Sequence, residues 1–142
     1  MARVKIDIPE KVLFLTKLDV RITDLNYGGH VGNDSVLSII HEARVRFLKS
    51  IGFENEASGP EGVGIIMGDA AIIYKAEIFY GDRLRIEIGA GDFTRVGFDL
   101  YYRFISLGNE KEVVRAKTGI ICFDYHSKSI INVPSALHKT LT

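Results

Sequence analysis

Residues 34–51 set the strongest constraint on what this chain can fold into. Val36, Ile40, Ala43, Phe47 and Ile51 step by four, three, four and four, which is one apolar stripe of an α-helix. About eighteen residues make roughly 27 Å of helix. So long a stripe in a small domain needs a broad sheet to cover it. Asn33 or Asp34 can cap the start, although no Glu or Gln follows three residues later to complete a capping box. Gly52 stands where a C′ glycine ends a helix.

The rest of the chain supplies that sheet. From Phe14 to Ile22 the pattern alternates, with Phe14, Leu18, Val20 and Ile22 on one face and Lys17, Asp19 and Arg21 on the other. The same parity continued places Asp24 and Asn26 on the inward face. Residues 54–62 read as a polar loop. Beyond it, Ile72, Tyr74, Ala76 and Ile78 alternate towards a turn at Tyr80-Gly81-Asp82, and Leu84, Ile86 and Ile88 alternate after it. Val96, Phe98, Leu100, Tyr102 and Phe104 share one parity, and Val113 to Phe123 form a further strand with Arg115 and Lys117 outward. A short helical turn is expected after Pro134. Strands joined by short turns are antiparallel, since parallel neighbours need long crossovers. The expected class is therefore α+β: one domain over residues 1–142, an antiparallel sheet of about five strands wrapped around one long central helix.

Composition narrows the function classes. The chain has 142 residues, with Lys plus Arg 18 balanced by Asp plus Glu 18, so no charge excess draws it to nucleic acid. The most apolar window, Val63 to Tyr74, is interrupted by Asp69 and is too short to span a bilayer, so no membrane partner is expected. One cysteine, Cys122, excludes an internal disulfide, and its apolar neighbours read as a packed thiol. The four histidines, at 30, 41, 126 and 138, have no metal-ligand spacing, so neither metal nor cofactor is expected. With no charged-then-apolar leader pattern, the expectation is a cytoplasmic protein.

Chemistry concentrates at the strand-to-helix junction, Asp24-Leu25-Asn26-Tyr27-Gly28-Gly29-His30-Val31-Gly32-Asn33. It brings polar side chains, glycines and a histidine to a helix N-terminus, whose free N–H groups and dipole favour developing negative charge. The same residues also suit a plain glycine-rich turn, with Asp24 and Asn26 satisfying local backbone.

The junction, followed by His41-Glu42-Ala43-Arg44, resembles the hotdog-fold thioesterases of the 4-hydroxybenzoyl-CoA thioesterase and acyl-ACP thioesterase branches. Those families carry an Asp-x-Asp-x-x-Gly-His-Val-x-Asn motif, then a helix with Glu-Ala-Arg. Glu77-Ile78-Phe79-Tyr80-Gly81-Asp82 is similar to the family's strand ending in Tyr-Gly-Asp. The resemblance covers nearly the whole chain. It implies hydrolysis of an acyl-CoA or acyl-carrier-protein thioester, with a backbone N–H near Asn33 polarising the carbonyl and His30 matching the family histidine. It also implies subunits paired edge to edge with substrate between them, hence a homodimer or homotetramer.

Two positions depart from that pattern. Asn26 stands at the motif's second Asp, and Gly28 at the Asn of the plant branch. A carboxamide cannot serve as a general base. The carboxylate role then moves to Asp24 or Glu42, or His30 is the base, since imidazole exchanges protons near neutral pH. The favoured arrangement has His30 and Asn26 positioning and activating water. His41, beside Glu42, ranks second as a site residue. Arg95, at a turn, suits a CoA phosphate or plain solvation. A non-catalytic acyl-CoA-binding module and an acyl-thioester hydratase or dehydratase are the alternative functions. Within one chain, the last strand is expected to remain an open edge, for a partner to cover.

Overall fold

The computed structural model describes residues 1–142. Six strands and two α-helices run in the order β1 (Phe14–Asp19), α1 (Asn33–Ser50), β2 (Gly64–Tyr74), β3 (Arg83–Gly91), β4 (Gly97–Ser106), β5 (Lys111–Asp124), β6 (Ser129–Ile130) and α2 (Ser135–Leu141). The strands form one antiparallel sheet in the order β1-β3-β4-β5-β2, with β6 paired to the end of β5. Its inner face wraps α1, the hotdog arrangement that the resemblance implied.

The stripe of α1 falls where the periodicity placed it. Val36, Ile40, Ala43 and Phe47 are buried, joined by Ile39 and Leu48, and Ile51 is half-buried. Opposite them lie Leu84, Ile86 and Ile88 of β3, Leu100, Tyr102 and Phe104 of β4, and Val114, Ala116 and Ile120 of β5, in one continuous apolar core. Alternation along β3 and β4 sends every second side chain into this core. The Phe14 and Phe47 rings sit 5.6 Å apart and tie β1 to the far half of α1. Burying each large aliphatic or aromatic side chain contributes about 1.5–3 kcal/mol. Gly52, with φ of +104°, ends the helix as its position suggested.

Four expectations change. The first strand stops at Asp19 rather than Ile22, because a 3₁₀ turn over Ile22–Asp24 follows. Ile22 is consequently 64% exposed, and Asn26 lies at the surface instead of facing inward. Asp24 is buried, but by the turn and not by strand parity. The cap of α1 is Gly32, with no side-chain cap bond, rather than Asn33 or Asp34.

The alternation at Ile72 to Ile78 also ends early, since β2 closes at Tyr74. There the chain leaves the sheet and Ile78 O accepts a bond from Val31 N, at 2.8 Å. That bond pins the junction loop against residues 75–82. Finally, the last long strand is not an edge: β5 lies between β4 and β2, and the two edges are β1 and β2. Hairpin order along the chain does not reveal that β2 pairs with the distant β5. On the sheet's outer face the N-terminal segment is held by Arg115 Nη1 donating to Ile6 O, at 3.0 Å.

Candidate active site

Loop closure shapes the junction. Asn26 N donates to His30 O at 2.8 Å, and Gly29, with φ of +83°, takes the left-handed conformation that returns the chain. Asn26 Oδ1 accepts the amide of Gly28 at 2.9 Å, which leaves its Nδ2 facing His30 Nε2 at 3.5 Å. The carboxamide therefore serves both ends: an acceptor for the loop and a donor towards an imidazole. A carboxylate could fill only the first role. The glycine at 28 has a geometric reason as well. A Cβ there would lie 3.2 Å from Asn26 Oδ1 and 3.4 Å from His30 Cε1, so a side chain would crowd the pair.

Immediately after this loop, α1 begins. The first intrahelical bond runs from Val36 N to Gly32 O, at 3.2 Å. The amides of Asn33, Asp34 and Ser35 have no acceptor in the protein. They are the unpaired donors of a helix start, where partial positive charge accumulates. Tyr74, at the end of β2, reaches across and donates its hydroxyl to Asn33 O at 3.1 Å. Partial burial, then the Asp34 carboxylate, raise the Tyr74 hydroxyl above the ordinary tyrosine range.

These groups share one open cavity of about 760 Å³. Asn26, His30 and Asn33 line it, with Asp34, Tyr74 and Glu77, over an apolar floor of Val31, Val36, Ile78 and Val114. A space of this size holds a small-molecule group. Among the sequence candidates, then, Asn26, His30 and the Asn33 amide are brought together.

The structure does not bring the others there. Asp24, His41 and Glu42 line a separate cleft of about 510 Å³ between β1 and α1. Asp24 Oδ2 accepts Arg21 N at 2.8 Å and its Oδ1 lies 3.1 Å from Arg21 Nη2. Glu42 Oε2 pairs with Arg46 Nε at 2.7 Å. His41 Nε2 lies 3.4 Å from Glu56 Oε1, which also meets the buried Arg44. Arg95, in the turn between β3 and β4, donates to Asn132 Oδ1 at 2.9 Å and lines neither space. Cys122 is buried, and desolvation pushes its thiol up to about 11, so it holds its proton at neutral pH. No group of three or more metal-ligating side chains occurs.

Sequence reading missed Asp34, Tyr74 and Glu77 as cavity residues. Spacing alone makes Asp34 a cap candidate and Tyr74 a strand position. The crossing of β2's end over the start of α1 brings Tyr74 and Glu77 to the cavity that His30 and Asp34 line. The signal open to sequence was Asp34 itself, an acidic side chain in a first helical turn.

Comparison with known proteins bears on what such a cavity does. A family model described as the thioesterase-like superfamily matches residues 20–141. A 1,4-dihydroxy-2-naphthoyl-CoA hydrolase from Synechococcus elongatus is 28% identical over 124 residues, 86% of this chain and 90% of that protein. Among solved structures, the PA2801 protein of Pseudomonas aeruginosa superimposes with a TM-score of 0.82 at 18% identity, over 93% of this chain and 100% of that one. A 1,4-dihydroxy-2-naphthoyl-CoA thioesterase from Synechocystis does so with a TM-score of 0.71 at 18% identity, over 90% and 94%.

Proposed function

The chain belongs to the thioesterase-like superfamily, and from that premise we propose that it hydrolyses an acyl-CoA or acyl-carrier-protein thioester to free acid and thiol. One observation carries the reading: a helix start whose unpaired Asn33 and Asp34 amides open into the cavity that holds Asn26 and His30. A thioester carbonyl seated against the Asn33 amide is polarised, and the oxyanion formed on attack is stabilised there. His30, oriented by Asn26, holds the attacking water on the other side of the carbonyl. The relative from Synechococcus elongatus is named for a naphthoyl-CoA, which supports CoA as the carrier.

The site reads best as one shared between two copies. The β2 strand is eleven residues long, pairs only with β5, and is exposed along Met67–Ala70. Open edges of this length invite pairing with another strand. A second copy adding its own β2 covers the edge and closes the mouth of the cavity, which gives a homodimer, with a homotetramer as the larger assembly. The single reduced thiol, Cys122, fits a cytoplasmic protein. No helix is long and apolar enough to cross a membrane.

A thiol-release assay over short, long and aromatic acyl-CoAs tests the activity. Release of CoA from at least one of them is expected. Thermal stabilisation by an acyl-CoA without released thiol identifies a binding module instead, and loss of enoyl absorbance without thiol identifies a hydratase. Sedimentation at micromolar concentration tests the assembly, and a monomer overturns it.

A further inference from the structure

We propose that Asp34 is the carboxylate of this site and the base that takes the proton of the attacking water. The inference rests on the hydrolase reading of the same cavity and supplies the group that reading lacks, since Asn26 cannot accept a proton.

Elimination comes first. The carboxylates of Asp24 and Glu42 are bonded to Arg21 and Arg46 and line the other cleft. Two carboxylates remain in the cavity with Asn26 and His30, those of Asp34 and Glu77. Neither is engaged in an ion pair, so both keep lone pairs for a water. Their supports differ. Glu77 sits in the irregular segment between β2 and β3 on a longer side chain. Asp34 is held by the first turn of α1, next in sequence to the amide that polarises the carbonyl.

Geometry then favours Asp34. The position a Cβ would take at Gly32 lies 2.6 Å from Asp34 Oδ1 and 3.5 Å from Asn26 Cβ, so the carboxylate folds back over Gly32 towards the Asn26–His30 loop. The absent side chain at Gly32 is what leaves room for it. A base must stand within hydrogen-bond reach of the water it deprotonates, and this fold-back brings Asp34 to the side of the cavity where His30 and Asn26 hold that water.

The chemical step balances with groups on hand. The water oxygen bonds to the thioester carbon as its proton passes to the Asp34 carboxylate. The carbonyl oxygen becomes an oxyanion on the helix-start amides. When the carbonyl re-forms, the carbon–sulfur bond breaks and the thiolate leaves with the proton that Asp34 returns. Acid and thiol are the products, and the carboxylate is regenerated.

The test measures kcat and KM for thiol release by wild type, Asp34→Asn, Asp34→Ala and the double variant Asn26→Asp/Asp34→Asn. Asp34→Asn is expected to lower kcat by about 100-fold or more, as loss of a general base does, with KM changed by less than about threefold. Putting a carboxylate back at the neighbouring position should restore at least about tenfold over Asp34→Asn. Acetate added to Asp34→Ala should raise its kcat and leave wild type unchanged, a response that a merely structural role would not give. Circular dichroism and melting temperature confirm that each variant is folded. If Asp34→Asn keeps more than about a third of wild-type kcat, the inference fails while the hydrolase reading stands. A wild type that releases thiol from no acyl-CoA overturns both.

Discussion

The cavity at the end of β2 and the cleft beside β1 both draw on the same stretch of chain, residues 17–46, yet they hold their polar groups in opposite states. In the cleft, Arg21 meets Asp24, Arg46 meets Glu42 and Arg83 meets Asp19. Each carboxylate there has a guanidinium within bonding distance. In the cavity, by contrast, the helix-start amides lack acceptors and the Asp34 carboxylate lacks a cation. Paired charges hold the junction in shape, whereas unspent donors and acceptors are what a substrate can use. The contrast teaches that residue type alone does not mark a site. Asp24 and Asp34 are the same side chain ten positions apart, and pairing separates their roles.

Variants in the two regions should therefore fail in different ways. The largest effects belong to the cavity. His30→Ala and Asn26→Ala are each expected to lower kcat for thiol release at least about tenfold with little change in melting temperature. Activity equal to wild type in both would place the site elsewhere. Next comes Asp24→Ala in the cleft. It removes the acceptor for Arg21 N and leaves that loop poorly anchored, at a cost of about 1–3 kcal/mol in urea unfolding. At temperatures where the variant is folded, its kcat should remain near wild type. A fall in kcat without a fall in stability would break the contrast.

The smallest effect is expected for Glu42→Gln. Its pair with Arg46 is exposed, and such pairs contribute roughly 0–1 kcal/mol. Chemical denaturation should register a small shift or none, and the rate should stay within about twofold of wild type. A hundredfold loss of kcat there would return Glu42 to the chemistry and dissolve the distinction between the two spaces.

Much of the architecture was legible in the chain because it depends on periodicity. The spacing of Val36, Ile40, Ala43 and Phe47 defines a helix face, and the parities of Leu84–Ile88 and Val96–Phe104 define sheet faces, wherever these elements pack. Gly52 marked a helix end through its backbone freedom alone. The motif around His30 pointed to the family, and to the loop where Asn26, His30 and the Asn33 amide do meet.

Other features were decided only in three dimensions. Strand parity carried past Asp19 misplaced Ile22 and Asn26, because the 3₁₀ turn at Ile22–Asp24 breaks the alternation without any proline or glycine to announce it. The edge at β2 depends on its pairing with β5, some fifty residues away, which no local pattern encodes. The ion pairs of the cleft divide between the two levels: Arg21–Asp24 and Glu42–Arg46 are three and four residues apart and follow from local spacing, whereas Arg83 reaches Asp19 only because β3 pairs with β1. Local sequence determined the helix, most of the strands and the glycine-rich junction loop, since those rest on short-range spacing and backbone sterics. Tertiary packing decided which strand is an edge and which distant side chains, Tyr74, Glu77 and Val114, share a cavity with His30, because such neighbours are set by distance in space.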